Sequence, residues 1–392
     1  MYKFFVLFLM FLPAFISADF NLRAKYAVLI DANTGQILYK KESFKPVPPS
    51  SMSKLMTSYI LLEDIQNQKI KPTTKFKVSE KSAYDFDSGE SAMYLKSGQN
   101  VSAIDLYKGM MIMSGGDACR TVAEGLEGSI EKFIERMNLT AKKLGLRNSS
   151  FTNPTGMAED GHLMSVYDVA KLSKIFMKSF PKYYKMLKEK YFDYDGYSEE
   201  EKKEYEFAMW NRNKLLWTYR GADGIKTGHT EKGGYALVAS AKKKDFRLIA
   251  VINGLVLRLG RNSANRERAK EAGRLLDYGF ENFQQQTFYK KNEKILEIPV
   301  WFGKKDTAKV GVNDNVSLIM PKENNDKIEI KAIYKTPIIS PIKQGQKLGK
   351  IKIFVEKKEV LEYDLIALED IKRISFGLRL FENLKILIKR FL

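Results

Sequence analysis

Three short segments that combine serine, lysine and glycine constrain the fold of this chain more than any other feature. In chain order they are Ser51-Met52-Ser53-Lys54, Ser114-Gly115-Gly116 and Lys226-Thr227-Gly228-His229-Thr230. A serine hydroxyl becomes a nucleophile when a neighbouring base takes its proton, and a lysine amine can act as that base. If the segments work together, the fold must bring three regions that are distant in sequence to one place.

The Ser-x-x-Lys spacing is a weak signal by itself, because a lysine-rich chain contains it by chance. It also occurs at Ser129/Lys132, Ser240/Lys243 and Ser340/Lys343. Ser51 differs from these serines because it follows a proline-rich stretch and precedes an apolar pattern with helical spacing. The apolar positions are Met52, Leu55, Met56, Tyr59 and Leu62. The pattern predicts Ser51 at the N-terminus of a buried helix, with Lys54 one turn later on the same face.

The predicted surroundings of the three segments suit acyl transfer. Free backbone N–H groups and positive potential at a helix N-terminus favour an oxyanion and a deprotonated nucleophile nearby. Ser114 is predicted at a junction between two buried helices within residues 101–126. Lys226 to Gly228 are predicted on a strand that precedes the strands Tyr235–Ser240 and Arg247–Ile252. A glycine there lets another backbone or a substrate approach closely.

Other parts of the first 283 residues are predicted to form secondary structure without catalytic residues. Tyr26–Lys41 is predicted to be a β-hairpin with its turn at residues 31–35, and Arg266–Phe280 a helix that packs back on the strands. Phe180–Phe207 is dense in Lys, Glu and Tyr, and its centre, Ser198–Glu204, is predicted to be a solvated helical excursion without chemistry.

The two ends of the chain have patterns of their own. Residues 1–18 are predicted to be a secretory signal peptide, with Lys3, an apolar run from Phe4 to Ile16 and cleavage before Asp19. The alternative is an uncleaved membrane anchor. Residues 284–371 alternate short apolar runs with turns, which predicts a small all-β domain.

Residues 372–392 predict an amphipathic helix whose charge is mostly basic. One face would carry Leu380, Leu384, Leu387, Ile388 and Phe391. Such a helix is typical of binding to an anionic bilayer surface, and the alternative is packing on the protein itself.

The composition limits the classes of partner and cofactor. Lys and Arg number 66 against 47 Asp and Glu, a formal charge of +19 that suits an anionic partner. No zinc-finger or RNA-binding signature is present, so we expect no nucleic acid partner. Cys119, the single cysteine, cannot form an internal disulfide, and its side chain is predicted to be buried and to pack in the core. His162 and His229 have no ligand cluster around them, and we expect neither a metal nor a cofactor.

Together, the segments resemble the Ser-x-x-Lys, Ser-x-Asn and Lys-Thr-Gly motifs of the β-lactamase and penicillin-binding superfamily. Within it, the chain resembles the low-molecular-mass penicillin-binding proteins that are D-alanyl-D-alanine carboxypeptidases. Further points of likeness are Asn153-Pro154-Thr155-Gly156-Met157, Gly161-His162, Asp223-Gly224-Ile225, Arg268 and the segment Leu275–Phe280. The likeness spans nearly the whole predicted mature chain.

The resemblance implies an α+β fold in which a catalytic domain of the β-lactamase and transpeptidase type combines an antiparallel sheet with helices. With the patterns above, it divides the chain into a signal peptide (1–18), a catalytic domain (19–283), a β-rich domain (284–371) and an amphipathic anchor helix (372–392).

The resemblance also implies roles in acyl transfer. Ser51 would be the nucleophile that attacks the carbonyl of the penultimate D-alanine, and Lys54 the candidate base. Lys54 must be neutral to accept a proton, which burial beside the cation Lys226 would favour. Ser114 would relay a proton to the leaving amine.

Four further residues would bind the substrate: Lys226, Thr227, His229 and Arg268. The backbone N–H groups of Ser51 and His229 would form the oxyanion hole. Thr227 and Arg268 would hold the terminal carboxylate of the substrate, Arg268 through a charge-assisted contact.

Gly116 departs from the family pattern, which has Asn at this position to offer an amide to the substrate and the lysine pair. Losing one such polar contact costs about 1–3 kcal/mol. If the missing amide limits the enzyme, Gly116→Asn should raise hydrolysis.

The expected function is therefore a β-lactam-inhibited carboxypeptidase that trims peptidoglycan stem peptides from the periplasmic face of the inner membrane. The alternatives are an endopeptidase on peptidoglycan cross-links, a β-lactamase, and a catalytically weakened binder of cell-wall peptides.

Overall fold

A computed structural model describes residues 2–10, 20–258, 260–323 and 327–378 of the chain. Contacts divide the chain into two units. Residues 19–281 form one, which we call the α/β unit; residues 282–392 with residues 1–18 form the other, which we call the β unit. The division falls after Glu281, compared with the predicted end of the first domain at residue 283.

The α/β unit is built on a five-stranded antiparallel sheet with the strand order β3-β2-β10-β9-β8. After β1 (Tyr2–Met10), which belongs to the β unit, the strands are β2 (Tyr26–Asp31), β3 (Ile37–Lys41), β4 (Lys75–Lys77), β5 (Asn100–Ser102), β6 (Ser149–Ser150), β7 (Leu163–Met164), β8 (Ala222–Thr230), β9 (Gly234–Lys243) and β10 (Phe246–Leu255). The predicted hairpin is confirmed, because β2 pairs with β3 in antiparallel register. The two strands predicted at 235–240 and 247–252 are also confirmed as β9 and β10.

Helices surround the sheet. They are α1 (Lys54–Gln66), α2 (Ala103–Lys108), α3 (Gly116–Glu127), α4 (Ile130–Leu144), α5 (Val166–Ser179), α6 (Pro181–Tyr184), α7 (Glu199–Met209), α8 (Leu215–Thr218) and α9 (Arg261–Asn282). Serine side chains begin several of them by accepting a backbone N–H of the first turn, for example Ser165 before α5. Ser198 begins α7, the predicted solvated excursion, with a reciprocal capping box to Glu201.

Helix α1 is enclosed by the rest of the α/β unit rather than lying on its surface. Its residues Leu55, Met56, Ile60 and Leu61 are all 0% exposed. The sequence predicts one apolar stripe, whereas from Lys54 to Leu62 every side chain is buried, as is typical of a helix at the centre of a core. Each such side chain contributes about 1.5–3 kcal/mol of burial, which holds the start of the helix in place.

The β unit is an all-β structure, as predicted. Its strands are β1, β11 (Phe283–Tyr289), β12 (Leu296–Trp301), β13 (Thr307–Val312), β14 (Val316–Pro321), β15 (Ile328–Lys335), β16 (Ile338–Ile339), β17 (Lys347–Val355) and β18 (Lys358–Ala367). A seven-stranded sheet has the order β1-β15-β17-β18-β13-β12-β16, and β11 pairs with β14. Alternate residues such as Ile330, Ile351 and Ile353 face a shared apolar core.

The two predicted terminal segments are described only in part. Within the predicted signal peptide, the backbone of Tyr2–Met10 pairs antiparallel with β15, so cleavage before Asp19 would leave β15 as an edge strand. At the other end, Arg373 is bridged to Gly303, and Ile374 donates its N–H to the Phe302 carbonyl. The rest of the predicted anchor helix, residues 379–392, lies outside the described residues. Among the helices that are described, none is both long and apolar enough to cross a membrane.

Candidate active site

The predicted nucleophile and base lie within hydrogen-bonding distance of each other. Ser51 lies in a 3₁₀ turn, Ser50–Ser53, that leads directly into α1 at Lys54. The Lys54 Nζ donates to the Ser51 Oγ at 3.2 Å and also to the Thr155 carbonyl oxygen. Lys54 is only 2% exposed, so its amine is held by these contacts rather than by water. A nucleophile in contact with a buried amine is the geometry that acyl transfer requires.

Ser114 is held in an unusual backbone conformation at the predicted junction. A π-helical turn, Gly109–Met113, ends at Ser114, which has φ +69° in the left-handed region, and α3 begins at Gly116. A non-glycine residue pays a conformational cost there, and such residues occur often at functional sites. The residue is 3% exposed and its side chain lines the same cavity as Ser51 and Lys54.

Lys226 lies on β8, where it is 2% exposed. Its Nζ donates to the Thr227 carbonyl oxygen at 3.3 Å. Burial lowers the pKa of Lys226 well below its ordinary value, and the neighbouring positive charges of Lys54, Arg212 and Arg268 lower it further. The folded protein therefore stabilises the uncharged form of this amine relative to a lysine in water.

The end of β8 and the helix α9 carry the groups that were predicted to bind the substrate: Thr227 and His229 on β8, and Arg268 on α9. Gly228 packs on the nucleophile turn: an added Cβ would lie 3.0 Å from the Ser50 Cβ, so the predicted close approach is to this turn. The Arg268 Nη1 donates to the Gly228 carbonyl oxygen at 3.0 Å. Burial, with the charge of Arg212, lowers the pKa of Arg268 to about 9. His229 is exposed, and its ring centroid lies 4.0 Å from that of Tyr235.

These groups surround a cavity of about 280 Å³. Its lining includes Ser51, Lys54, Ser114, Thr227, His229 and Arg268, six of the seven predicted site residues. Lys226, the seventh, is buried and does not line the cavity surface. A larger cavity of about 450 Å³ shares Arg212 and Asn265 with the first but has no serine and lysine in contact, so chemistry singles out the smaller one.

The remaining Ser-x-x-Lys serines have structural roles. The Ser129 Oγ accepts the Lys132 N–H at 3.3 Å and begins α4. The Ser240 Oγ accepts from Arg247 at 2.8 Å, and the Ser340 Oγ donates to the Phe302 carbonyl oxygen in the β unit. None of the three serines lines the cavity at Ser51.

Sequence reasoning missed several groups of the cavity. Glu90 and Arg212 line it, and Thr155 supplies the carbonyl that holds Lys54. Thr155 lies within a segment quoted for the resemblance, which could have pointed to a role; nothing in the sequence around Glu90 distinguishes it. Within the described part of the chain, no three His, Cys, Asp or Glu side chains are grouped in a way that could hold a metal.

His162 supports the nucleophile turn from behind. The Thr152 N–H donates to the His162 Nδ1 at 3.2 Å, so Nε2 carries the ring proton and donates to the Ser53 Oγ at 3.0 Å. Ser53 in turn donates to the Ser50 carbonyl oxygen at 3.3 Å. Burial lowers the pKa of His162 from 6.5 to about 4.

We expect His162 to make the fold less stable in mild acid. The unfolded chain binds a proton near pH 6.5 and the folded chain only near pH 4, so stabilisation is complete above 6.5 and is lost as the pH falls towards 4. The loss at pH 4.5 is about 2–3 kcal/mol at 1.4 kcal/mol per pKa unit. Urea unfolding at pH 7 and 4.5 should show a smaller loss in His162→Gln than in the wild type; equal losses would contradict the assignment.

Comparison with known proteins identifies the family. The sequence profile of the peptidase S11 family, described as D-alanyl-D-alanine carboxypeptidase, matches residues 14–255. The chain belongs to this family. The profile of the C-terminal domain of penicillin-binding protein 5 matches residues 283–373, which include the strands β11 to β18 of the β unit.

Individual relatives of this carboxypeptidase family cover most of the chain. D-alanyl-D-alanine carboxypeptidase DacF of Bacillus subtilis is 36% identical over 356 residues, 90% of this chain and 87% of the relative. The crystal structure of penicillin binding protein 5 from Haemophilus influenzae matches with a TM-score of 0.75 at 29% identity, covering 91% of this chain and all of that one. Penicillin-Binding Protein D2 from Listeria monocytogenes, solved in a cefotaxime-bound form, matches with a TM-score of 0.55 at 26% identity, covering 66% of this chain and 99% of that one.

Proposed function

We propose that this protein removes the terminal D-alanine from peptidoglycan stem peptides through an acyl-enzyme on Ser51. The observation that carries the proposal is the 3.2 Å contact between the Lys54 Nζ and the Ser51 Oγ, in a cavity that Arg268 also lines. A nucleophile with its base, beside a cation, suits a peptide that is cleaved next to its terminal carboxylate.

Acylation begins with the Ser51 Oγ, which attacks the carbonyl carbon of the penultimate D-alanine while Lys54 takes the hydroxyl proton. The backbone N–H groups of Ser51 and His229 stabilise the oxyanion of the tetrahedral intermediate. The carbon–nitrogen bond then breaks, and the proton reaches the leaving nitrogen through Ser114. Free D-alanine departs, and the peptide remains as an ester on Ser51.

Deacylation reverses these roles with water as the nucleophile. Lys54 takes a proton from water, the hydroxide adds to the ester carbonyl, and the bond to the Ser51 Oγ breaks. Ser51 regains its proton from Lys54, and the shortened peptide leaves with a new carboxylate.

Arg268 and Thr227 hold the terminal carboxylate in this scheme. The pKa of Arg268 is lowered to about 9 by burial, so a substrate carboxylate would stabilise its charged form. Arg212, which also lines the cavity, adds positive potential. Neutral ends of peptides would lack this attraction.

We also propose that β-lactams acylate Ser51, since a β-lactam carbonyl can follow the same first step. The Listeria relative was solved with cefotaxime bound, which supports this extension. No observation of this chain favours β-lactamase, endopeptidase or binder functions over the carboxypeptidase.

The test is release of D-alanine from a peptide that ends in D-Ala-D-Ala, measured with purified protein lacking residues 1–18. A peptide that ends in D-Ala-L-Ala is the matched control and should not be cleaved. The same protein is offered a cross-linked peptide dimer and a chromogenic cephalosporin. Faster turnover of the dimer would favour an endopeptidase, fast cephalosporin turnover a β-lactamase, and no turnover at all a binder.

We propose that the protein is exported and docks on the periplasmic face of the inner membrane. The pattern of residues 1–18 supports export. The amphipathic pattern of residues 379–392, with the basic Lys385, Lys389 and Arg390, supports docking on anionic lipid.

Deleting residues 379–392 is expected to release an active protein from anionic vesicles. This deletion spares Arg373 and Ile374, which bond to the β unit, whereas a deletion from Lys372 would remove them. Each basic residue near anionic lipid adds about 1 kcal/mol, so the full mature chain should float with anionic vesicles, less with neutral ones and less in high salt. Equal flotation of the truncated chain would place the anchor elsewhere, with the N-terminal segment the first region to test.

A further inference from the structure

Glu90 occupies the space that the family pattern assigns to the motif asparagine. A Cβ added to Gly116 would lie 2.2 Å from the Glu90 Oε2 and 2.8 Å from its Cδ. Glu90 lines the cavity together with Ser51, Lys54 and Ser114, and it is the one carboxylate among the described lining residues. The position left open by Gly116 is therefore filled by a polar group from another part of the chain.

The Glu90 carboxylate is held in a defined orientation. Its side chain is 8% exposed, and Oε2 accepts from the Arg120 Nη1 at 2.5 Å. Arg120 lies on α3, one turn after Gly116, so the same helix supplies both the open space and the cation that holds the carboxylate. Arg120 also offsets a negative charge that would otherwise face the lysines of the site.

The loop that carries Glu90 is anchored to the start of α3. Gly116 donates its N–H to the Ser91 carbonyl oxygen at 2.8 Å. The buried Asp117 carboxylate accepts the Met93 N–H at 2.9 Å and the Leu95 N–H at 3.0 Å. These bonds fix the backbone on both sides of the helix start, so the position of Glu90 follows from the fold rather than from a mobile side chain.

We propose that Glu90 takes over substrate contact from the missing asparagine by accepting a hydrogen bond from an N–H donor of the bound peptide. This inference rests on the proposed function. An amide both donates and accepts hydrogen bonds, whereas a carboxylate only accepts, so the pocket retains recognition of a donor and loses recognition of an acceptor. The donor is either a peptide N–H or a side-chain ammonium group of the residue before D-Ala-D-Ala.

The structure reverses the expected effect of Gly116→Asn. The space around Gly116 is not vacant, and an asparagine must displace Glu90, whose carboxylate is paired with Arg120. We expect kcat/KM for D-alanine release to fall about 10- to 100-fold in Gly116→Asn, and similarly in Glu90→Ala. The double variant restores a polar group in the freed space, and we expect it to recover to within about tenfold of the wild type.

The experiment measures kcat and KM for the wild type, both single variants and the double variant, together with labelling of Ser51 by a reporter penicillin. Glu90→Gln, which keeps an acceptor oxygen on a side chain of similar size, should lower kcat/KM less than Glu90→Ala does. Asp87→Asn changes an exposed carboxylate on the same loop and should match the wild type. Thermal melting of each variant separates loss of fold from loss of contact.

Two peptides distinguish the sources of the donor. One carries a free lysine amine before D-Ala-D-Ala, and the other carries an acetylated lysine. If the ammonium group is the donor, the wild type has a higher kcat/KM for the peptide with the free amine, and Glu90→Ala loses this preference. If a peptide N–H is the donor, Glu90→Ala lowers kcat/KM equally for both peptides.

The results separate the two hypotheses. A wild-type chain that takes no label and releases no D-alanine overturns the proposed function and this inference with it. If the wild type is labelled and active, the proposed function stands and only the role of Glu90 is tested. That role is contradicted if folded Glu90→Ala retains the full kcat/KM of the wild type, or if kcat/KM of the double variant is no higher than that of either single variant.

Discussion

Replacing Ser51 with alanine is expected to abolish covalent labelling by a reporter penicillin and to lower D-alanine release by about 10⁴-fold or more. Alanine lacks the Oγ that receives the acyl group, and among the described serines that line the cavity only Ser51 is hydrogen-bonded to Lys54. Intact-protein mass spectrometry should show the penicillin adduct on the wild type and none on Ser51→Ala. Peptide mapping of the labelled wild type should place the adduct on Ser51.

Ser129→Ala is the matched control, because Ser129 has the same Ser-x-x-Lys spacing but begins α4 on the surface. It should label at the wild-type rate, with a small loss of stability from the lost cap of about 1 kcal/mol. An adduct on a serine other than Ser51, or undiminished labelling of Ser51→Ala, would exclude the acyl-enzyme on Ser51.

Replacing Lys54 with arginine is expected to slow acylation by about 10²- to 10⁴-fold, the usual contribution of a positioned general base. Arginine stays charged and cannot accept the Ser51 proton, although it can still donate to the Thr155 carbonyl oxygen. The variant therefore removes the proposed base while retaining a donor at this position. Stopped-flow measurement of penicillin acylation gives the rate directly.

Lys132→Arg is the corresponding control, since Lys132 belongs to the surface copy of the motif, and it should acylate at the wild-type rate. Thermal melting must show that Lys54→Arg is folded, because a larger cation in a site that is 2% exposed strains its neighbours. Wild-type acylation in a folded Lys54→Arg would remove Lys54 as the base and leave Lys226 as the next candidate.

The sequence predicted those parts of the fold that depend on local patterns. The helical spacing after Ser51 predicted α1, and turn residues between apolar runs predicted the hairpin of β2 and β3. The short apolar runs after residue 283 predicted the strands of the β unit. Hydrophobic periodicity and turn chemistry act over a few residues, so they can be interpreted without knowledge of the fold.

The local sequence pattern did not predict the burial of residues that are covered by several distant segments. It predicted one apolar stripe on α1, but neighbouring elements bury every side chain of the helix from Lys54 to Leu62. It predicted Lys226 as a substrate-binding residue, whereas the side chain is buried behind the cavity lining, with a pKa that burial lowers. How many neighbours cover a residue depends on contacts between distant segments, which periodicity does not record.

The sequence alone shows the order of the three motifs, predicts the elements that carry them and shows a glycine in place of asparagine at residue 116. What fills that place follows from the fold, because Glu90 reaches it from a loop 26 residues earlier that Asp117 and Arg120 hold against α3. The tertiary structure likewise decided that His162 supports the nucleophile turn through Ser53, 109 residues away. A hydrogen bond between distant residues is specified by close packing of the whole unit, and that packing has no signature in any short segment.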